Sequence, residues 1–538
     1  MDNEIVMTEA EVERIDSTNI VQLFAKFTPT IEHRQKLFEY YDKQQETDDA
    51  MKDLTDFPVF APIARYATNI AAGYFIGKPC KYFSRATHDA KEMTTFSGGR
   101  RIFLTDVKKE GVSDEQRAEI GQYTEAYRTI LRRNHEDDEN MALARDALIH
   151  RVAFERVYVV KGLDGTADIR FKNIDPKKCI AIKSTSIERE IVAFICLETF
   201  VDPFSNQKVD RYELITKKRH RYYEFPSAVT GNAVPQGIAQ AQDGTTSVRE
   251  YDADESTLNV EKLVGIPIIE YRMPENKGFF EDCIPLLNAR DALLNHLRNT
   301  FKYNDEAILM LIGYMKPDND NELEKLHSQI EAFKMLFLDE GSNVAWLMKD
   351  VPIDSINGYY NILTQDIFAM LGIKNPCRQS EVYQNITTVR YQNYGMDSTI
   401  LGMERTFERS LLEGRAQIIT KLLNYINDKK WNWELLDVAF ERNLPSSRTE
   451  EAQFIAQMKS ANILADEDIL DQVSFVEDTD AAIARKRAQD EANAEMQAKV
   501  LLSTANPHKT VDKNDDVNND RRMDKDDGRL QNGGQKNP

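Results

Sequence analysis

The segment GIPIIEYRMPENKGFFEDCIPLLNARDALLNHL, residues 265–297, contains the change of periodicity that decides the fold. Its first part, Gly265–Tyr271, is a short apolar run with β-branched and aromatic side chains, which predicts a strand. Leucines then recur at helical spacing, at Leu287, Leu294 and Leu297, and predict a helix. A strand region followed by helices indicates an α+β fold, and the chain as a whole is predicted to be mainly helical.

The sequence before this segment divides into a helical part and a β part. Residues from about 15 to 150 follow a mostly helical periodicity. From Val152 onward, short runs such as VAFERVYVVKG alternate with turn-forming residues. This alternation predicts an antiparallel meander that ends at Gly265–Tyr271.

Two further helices are predicted beyond Ile353, separated by a polar segment, Ile373–Asn385. The first of them should end at Gly372 and Pro376, and its heptad-like apolar face consists of Ile356, Tyr360, Leu363, Ile367 and Met370. The second is much longer, and its single apolar face consists of Met396, Ile400, Met403, Phe407, Leu411, Ile418, Leu422 and Tyr425.

Size and charge limit the possible classes of protein. A chain of 538 residues is too long for a single core, so roughly two to four domains are expected. The formal net charge is -20, from 69 Lys plus Arg against 89 Asp plus Glu, and the mean hydropathy of -0.54 indicates a soluble protein. This acidity argues against a protein that grips nucleic acid through a broad basic face. It is compatible with DNA that passes without being held.

The cysteines and the apolar runs indicate a cytosolic chain without a membrane anchor. The five cysteines are scattered and include no C-x-x-C pair, so neither a disulfide framework nor a zinc site is predicted. The acidic N-terminus lacks the basic and then apolar order of a signal peptide. No apolar run reaches about eighteen residues, so no membrane span is expected.

The segment YFIGKPC, Tyr74–Cys80, raises the alternative of a nucleotide site, because a Gly-Lys pair follows an apolar run. A phosphate-binding loop needs two glycines with about four residues between them, then Lys, then a hydroxyl side chain. Only three residues separate Gly73 from Gly77, and Pro79 follows Lys78. The preceding periodicity instead predicts a buried helix, for which Gly77 is expected to form a left-handed cap.

Motifs that could carry catalysis are scarce. The run HEDDEN, His135–Asn140, crowds carboxylates that could bind a divalent cation, but a charge run is more often a solvated face. The run KKRHRYY, Lys217–Tyr223, mixes basic and aromatic residues as single-strand binders do. On a two-residue hairpin, however, alternation would divide those side chains between two faces. The histidines include no metal-ligand pair, so no enzyme, cofactor or metal is predicted.

The order of four segments resembles that of the portal proteins of tailed bacteriophages, in particular the family of long-tailed phages of Gram-positive hosts. The first segment carries Tyr74, Phe75, Ile76, Gly77, Lys78 and Pro79. The second leads into a first stem helix through Ile266, Pro267, Asn276, Gly278, Pro285, Leu286, Leu287, Asn288, Ala289 and Asp291. The third, VAWLMKDVPIDSINGYYNIL, resembles a passage from clip to second stem helix through Trp346, Lys349, Pro352 and Tyr360. The fourth resembles a crown, through Asn443, Leu444, Pro445, Glu450, Leu470, Val473 and Asp478.

The resemblance extends over residues 30 to 490, roughly, and implies a ring oligomer of portal-like architecture. The implied regions are an N-terminal arm (1–30), a wing (31–285), a first stem helix (286–306), a clip (307–352), a second stem helix (353–372), a tunnel loop (373–387), a long wing and crown helix (388–428), a crown (429–500) and a disordered acidic and polar tail (501–538).

The function implied by the resemblance is that of a dodecameric ring at one capsid vertex. The ring would form the channel for DNA packaging and ejection. Its partners would be the large subunit of the terminase motor, a head-completion or adaptor protein, the major capsid and scaffolding proteins, and the double-stranded DNA in the channel. The chain would then be located in the virion and, during assembly, in the host cytoplasm, without contact to a membrane.

The tunnel loop is the segment in which contacts with DNA are expected. Its position in the family order assigns this role to Lys374, Arg378, Gln379, Gln384 and Asn385. The loop has neither the acidic or Gly-rich composition nor the Ser-Gly that family members often carry before the long helix, so its limits stay open. A solvated connection between two helices is the alternative interpretation of the same residues.

Two other classes of function stay open at the level of the sequence. One is a nucleotide-using enzyme built around Gly73–Lys78, which would bind ATP. The other is a virion component or interaction scaffold that is not a portal and stays monomeric. A mass measurement separates the scaffold from the ring.

Overall fold

The computed structural model describes residues 5–42, 61–94, 99–161, 167–201, 203, 206, 208–226, 249–252, 260–305, 308–312, 343–347, 352–375, 386–443, 448–461 and 479–504. The chain forms two compact units, of which one comprises Met1–Ala456 with Gln472–Ser474 and the other Gln457–Asp471 with Phe475–Pro538. Helices and strands are both abundant, which confirms the predicted α+β class.

Helices make up most of the residues that the structure describes. In order they are α1 (Glu9–Val12), α2 (Ile20–Ala25), α3 (Thr28–Asp42), α4 (Ile63–Ile76), α5 (Asp114–Arg133), α6 (Glu136–His150), α7 (Val260–Val264), α8 (Ile284–Asp305), α9 (Ile353–Met370), α10 (Ile386–Arg409), α11 (Gln417–Asn427), α12 (Arg448–Ala461) and α13 (Thr479–Thr504). A π-helical segment, Ser410–Ala416, joins α10 to α11.

The strands form two larger sheets and three pairs. They are β1 (Val6–Met7), β2 (Lys81–Phe83), β3 (His88–Thr94), β4 (Arg100–Asp106), β5 (Val152–Lys161), β6 (Ala167–Ile174), β7 (Cys179–Ser184), β8 (Ile191–Val201), β9 (Lys208–Thr216), β10 (His220–Pro226), β11 (Arg249–Asp252), β12 (Ile268–Arg272), β13 (Ile308–Ile312), β14 (Asn343–Leu347) and β15 (Asp437–Ala439). The sheet orders are β1-β7-β8-β9-β10-β11 and β12-β5-β6, and the pairs are β13-β14, β15-β2 and β3-β4.

The predicted meander is divided between two sheets. Its middle strands form the six-stranded sheet, whereas its expected first and last strands, β5 and β12, pair with each other in the three-stranded sheet. Strands β7 to β11 are antiparallel neighbours in chain order, and β1 joins the edge in parallel to β7. The helices α1 and α2 cover one face of this sheet, where Phe24 packs edge-on against Tyr212 with the ring centres 5.5 Å apart. The other face meets the sheet β12-β5-β6 through an apolar contact between Phe154 and Phe194.

The main core lies between the helices and the three-stranded sheet. Small side chains on α4, such as Ala67 and Ala71, are fully buried and let α4 approach α6. Phe75 and Tyr271 both contact Phe407 on α10, with ring centres 5.4 and 4.8 Å away. The first helical region, the sheet and the long helix therefore share one core.

The segment after α4 differs from the sequence prediction in one respect. The helix ends at Ile76 as expected, but Gly77 has a φ of -71°, so the predicted left-handed cap is wrong. The glycine is needed for another reason: a Cβ at this position would overlap the backbone oxygen of Gly73 in α4 and would lie 2.5 Å from the side-chain nitrogen of Asn443. Close packing against both groups, and not a left-handed backbone angle, therefore requires Gly77.

The HEDDEN run is only partly solvated: His135, Asp137 and Asp138 are exposed. Glu136, Glu139 and Asn140 in the first turns of α6 are buried, and Asn140 donates to Glu136 at 2.8 Å. Glu139 accepts the backbone N–H of Asn173 on the edge strand β6 at 3.0 Å. The prediction of a solvated run is wrong for Glu136 and Glu139, because distant groups, which the run does not contain, compensate their charges.

The KKRHRYY run lies at the turn between β9 and β10. His220 stands opposite Ile215, and the backbone N–H of Thr216 donates to the carbonyl oxygen of Arg219 at 2.8 Å, so Lys217 and Lys218 form the expected two-residue turn. The division between two faces is confirmed, because Tyr222 contacts Glu213 on one face while Tyr223 is buried in the apolar cluster on the other.

The helix α9 agrees with its prediction in length and in most of its buried face. Leu363 and Ile367 are buried, and Ile356 and Tyr360 are half-buried. Met370, three residues after Ile367, lies on the same side of the helix but is 56% exposed, so it is not covered within the chain. Gly372 follows the helix with a φ of +64°, a left-handed angle that glycine adopts without strain, and this confirms it as the residue that ends α9.

The long helix is not one continuous α-helix. The face predicted for its first part is confirmed, since Met396, Ile400 and Phe407 are buried in α10. The π-helical segment inserts an extra residue in the hydrogen-bonded turn, which rotates all side chains that follow. Beyond the segment the predicted face is confirmed at Ile418 and Leu422, which are buried, and is wrong at Tyr425, which is 60% exposed.

The tail after Thr504 lies outside the described residues. Residues 501–504 are the last turn of α13, so this part of the predicted tail is helical. The segment 501–538 contains seven Asp against four Lys and three Arg, so it is polar but carries no net acidic charge.

Candidate functional site

The structure describes one of the five residues predicted to touch DNA. Lys374 lies in the extended segment just after α9 and is half-buried. Arg378, Gln379, Gln384 and Asn385 lie outside the described residues. Their assignment to a tunnel loop therefore remains a prediction.

The two helices that flank this segment approach each other backbone to backbone. A Cβ on Gly372 would lie 2.8 Å from the carbonyl carbon of Gly395 on α10, and a Cβ on Gly395 would lie 3.2 Å from the Cα of Gly372. The contact fixes the end of α9 against α10. A glycine inside the predicted long helix was the available sequence signal for it.

The helices α8 and α9 meet through polar side chains. Arg290 donates to the hydroxyl of Tyr360 at 2.7 Å, and its guanidinium lies 5.0 Å from the centre of that ring. Asn295 donates to the backbone oxygen of Asp291 at 2.8 Å. Burial raises the pKa of Asp291 to about 6, although the neighbouring Arg290 opposes this shift. Arg290 therefore joins α8 to α9, whereas Asp291 accepts the backbone N–H of Ala61 and Asn295 bonds within α8.

A side of α9 next to its buried face exposes large apolar side chains. Tyr359, Ile362 and Met370 are 51%, 57% and 56% exposed, and the exposed Asp366 lies among them. Single exposed apolar residues are common on proteins, but several on one side of a helix are typical of an interface. We call Tyr359, Ile362 and Met370 the apolar stripe of α9. The heptad pattern included Met370 but neither Tyr359 nor Ile362.

The charge of α9 is also unusual for an exposed helix. Its sequence, IDSINGYYNILTQDIFAM, contains Asp354 and Asp366 and no Lys or Arg. A surface of this kind does not neutralise phosphates and cannot grip DNA ionically.

A fully buried guanidinium lies in the π-helical segment. Arg415 donates to the two carboxylate oxygens of Glu155 at 2.9 and 2.6 Å and pairs with Glu136 at 3.1 Å. Tyr271 donates to Glu155 at 2.8 Å, and Tyr82 donates to Glu136. Burial raises the pKa of Glu136, although the charge of Arg415 opposes this. The cluster is sealed from solvent, so its role is to hold the long helix on the sheet.

The Gly-Lys-Pro segment does not form a phosphate cradle. Gly73 lies inside α4, where its backbone N–H belongs to the helix, and Lys78 is 4.0 Å from the carboxylate of Glu441. Lys81 pairs with the same carboxylate. The geometry gives the nucleotide hypothesis no support, and Lys78 has a structural partner.

A second charged cluster joins the two larger sheets. His220 on β10 lies between two carboxylates, with Nε2 2.7 Å from Glu213 and Nδ1 3.3 Å from Glu261 on α7. Arg156 on β5 donates to Glu213 at 2.7 Å, and Tyr222 does so at 3.0 Å. The cluster forms the floor of a cleft of about 790 Å³ between the sheets.

The pKa values of this cluster follow from its geometry. Burial alone would lower the pKa of His220, but its hydrogen bonds to Glu213 and Glu261 raise it. Burial alone would raise the pKa of Glu213, but His220 and Arg156 lower it to about 2. Because both ring nitrogens face carboxylates, only the protonated imidazolium can donate to both.

The described residues hold neither a metal cluster nor a membrane-spanning helix. In the part of the chain that the structure describes, no three His, Cys, Asp or Glu side chains are grouped as metal ligands would be. Among the helices of the described residues, none has both the length and the apolar character needed to cross a bilayer.

The comparisons with known proteins identify the family. No curated protein matches the chain. Residues 22–496 match the family described as "Phage portal protein, SPP1 Gp6-like", which covers more than half of the sequence. The chain therefore belongs to the SPP1 Gp6-like phage portal proteins, and its function is that of a portal, which provides the channel for DNA packaging at the capsid vertex.

Proposed function

We propose that this portal protein assembles into a closed ring in which the apolar stripe of α9 packs against a neighbouring copy. Membership of the portal family supports a ring. The observation that carries the interface is the row of three large apolar side chains, each more than half exposed, on one side of α9. A contact between different faces of successive copies generates a ring when the rotation closes.

The arrangement of α8 and α9 supports this interface. The two helices of one chain meet through the polar contact between Arg290 and Tyr360, while Ile362 and Tyr359 are exposed. If the helix pair stayed isolated, it would be more stable with the apolar side chains buried and the polar ones exposed. Burying one such apolar side chain contributes about 1.5–3 kcal/mol. The stripe is therefore best explained by burial in an assembly.

The finer assignments of the family order are part of the same proposal. The wing would be 31–285, the clip 307–352, the stem helices 286–306 and 353–372, and the crown 429–500. The clip would dock the large subunit of the terminase, and other surfaces would bind the head-completion, capsid and scaffolding proteins. Twelve copies are the number that the family resemblance suggests.

The ring interface can be tested by adding a charge to the stripe. Ile362→Asp should prevent assembly, because the carboxylate would be buried without a partner in the interface. Ile187→Asp is the matched control, because Ile187 is an isoleucine that is 101% exposed in the turn between β7 and β8. Mass measurement and negative-stain electron microscopy report the assembly. Rings of Ile362→Asp at the concentration at which the parent chain assembles would contradict the proposed interface.

The tunnel loop is tested separately. Deleting Arg378 to Gln384 should leave rings intact and impair DNA packaging or retention, because the loop would be the part of the ring that meets DNA. Ring assembly is measured by mass, and packaging by nuclease protection of DNA in the capsids. Normal packaging by rings that lack the segment would contradict the proposed contact of this loop with DNA.

A further inference from the structure

Two reduced cysteines stand directly opposite each other in the six-stranded sheet. Cys179 on β7 is the Cα partner of Cys196 on β8. The backbone N–H of Leu197 donates to the carbonyl oxygen of Lys178 at 2.7 Å, which makes the cysteines a non-hydrogen-bonded pair of the antiparallel ladder. In such a pair both side chains lie on the same face of the sheet, and the two Cα atoms are about 4.5 Å apart.

This arrangement suits a disulfide bond. Disulfides join residues whose Cα atoms are about 4.4–6.8 Å apart, so the pair can be bridged without a movement of the backbone. Both cysteines belong to the same apolar cluster, together with Phe154 and Phe194. The other cysteines that the structure describes lie outside its strands, at Cys80 and Cys283.

The cleft between the two larger sheets gives access to one of the two thiols. Cys196 lines this cleft of about 790 Å³ and is 8% exposed. Cys179 is fully buried, and its thiol donates to the backbone oxygen of Asp175 at 3.3 Å. A cleft of this size has room for a small molecule, so a small reagent meets Cys196 before it meets Cys179.

We propose that Cys179 and Cys196 form a redox-sensitive pair, which a small disulfide molecule that enters the cleft converts into a cross-strand disulfide. The Cys196 thiolate attacks one sulfur of the small disulfide, and one half of that molecule leaves as a thiol. The Cys179 thiolate then attacks Sγ of Cys196 and displaces the other half as a second thiol. The protein thiols lose two protons and two electrons, which reduce the small disulfide to two thiols.

The surroundings of the pair make this reaction slow. Burial raises the pKa of Cys196 to about 12 and raises that of Cys179 well above its ordinary range. Because the thiolate is the attacking form, the pair reacts little during brief contact with an oxidant. Cytosolic reductants keep such thiols reduced, whereas a phage particle outside a cell lacks those reductants, so the bond can form there slowly.

Incubation of the full-length chain with hydroxyethyl disulfide tests the pair. Peptide mapping without a reductant should recover the segments that contain Cys179 and Cys196 joined to each other, and dithiothreitol should separate them. Neither step requires a ring, so the test does not depend on the proposed function. Recovery of the two cysteines as free thiols, or of either one in a different disulfide, would overturn the inference.

Single alanine variants separate the two steps. Cys179→Ala should retain half of the reagent on Cys196 as a mixed disulfide, because no second thiol displaces it. Cys196→Ala should leave Cys179 as a free thiol, because Cys179 is fully buried. Both variants keep an apolar side chain in the cluster. Equal modification of the remaining cysteine in the two variants would contradict access through the cleft.

Unfolding measures the consequence of the bond. The loop that it closes, residues 180–195, contains sixteen residues, so the bond should lower the equilibrium constant of unfolding roughly a hundredfold. Urea denaturation compares the oxidised chain with the same chain after dithiothreitol, and Cys196→Ala, carried through the same oxidation, is the control that should not shift. Equal midpoints for the oxidised and reduced parent chain would overturn the stabilising role of the pair.

Discussion

At the scale of single residues, charges that the sequence places far apart hold the fold together. Arg415 pairs with Glu155 and Glu136, which precede it by 260 and 279 positions, and all three are buried. Their mutual attraction offsets a large desolvation cost, and removing one member leaves the others without compensation. Removal of one member should therefore destabilise the fold by more than the intact cluster stabilises it.

Replacing Arg415 tests this dependence. Arg415→Met should lower the free energy of unfolding by about 3–5 kcal/mol, because two buried carboxylates lose their partner. Arg409→Met is the matched control, since Arg409 pairs with Glu413 on the surface and such a pair is worth about 0.3–0.5 kcal/mol. Urea denaturation reports both values. Equal midpoints for the two variants would contradict the role given to Arg415.

His220 makes stability depend on pH with a defined sign. Its pKa in the folded chain is raised above the ordinary 6.5, so its stabilising contribution is complete below 6.5 and is lost as pH rises through the raised value. The pKa of Glu261 is lowered from 4.5, so its contribution is present above 4.5 and is lost as pH falls through the lowered value. Between pH 4.5 and 6.5 both residues therefore contribute fully to the free energy of unfolding.

The variant His220→Gln should therefore differ most from the parent in mildly acidic solution. At a pH of about 6 the loss should be about 1.5–3 kcal/mol, the range for hydrogen bonds to charged groups. The difference should shrink as pH rises above the raised pKa of His220. Thermal unfolding over a pH series measures it, with His296→Gln on the exposed face of α8 as the control. A difference between His220→Gln and the parent that does not change with pH would rule out the imidazolium as its source.

At the scale of elements, glycines decide how helices approach. Gly372 and Gly395 bring the end of α9 onto α10, and a Cβ on Gly414 in the π-helical segment would lie 2.7 Å from the side chain of Ile269 on β12. Gly358, by contrast, lies on the exposed side of α9, and a Cβ added there would meet no atom within 4 Å. Glycine is thus required for close packing at Gly372, Gly395 and Gly414, but not at Gly358.

Two alanine substitutions, one within α9 and one just after it, should have opposite effects. Gly372→Ala should destabilise the chain, because left-handed backbone costs a non-glycine residue about 1–2 kcal/mol and its Cβ would meet Gly395. Gly358→Ala should stabilise it by about 0.5–1 kcal/mol, the helical preference of Ala over Gly. Chemical denaturation of both variants gives the signs. The same sign for both would contradict the packing role of Gly372.

At the scale of the whole molecule, the negative net charge agrees with the function of the portal family. A net charge of -20 is unsuited to holding DNA and suited to a wall along which DNA moves. The family match covers residues 22–496, which include the strands β2 to β15, α8, α9 and the long helix. The proposed ring depends on the apolar stripe of α9, which a single chain leaves exposed. Measurements of assembly therefore test the proposal most directly.

The sequence by itself determined the α+β class, the position of α8 and α9, and the portal family, because periodicity and segment order are properties of the chain in one dimension. It also indicated Gly372 correctly as the end of α9. It did not reveal the burial of Glu136, the π-helical segment before α11, or the packing reason for Gly77.

Only the tertiary structure decided those features, since each depends on a partner distant in the sequence. A repeat of apolar residues shows which side chains share a side of a helix, but not what that side meets. The apolar stripe of α9 is the clearest case: the pattern predicted the face that packs within the chain, and the exposed residues Tyr359 and Ile362 became visible only once that face was covered.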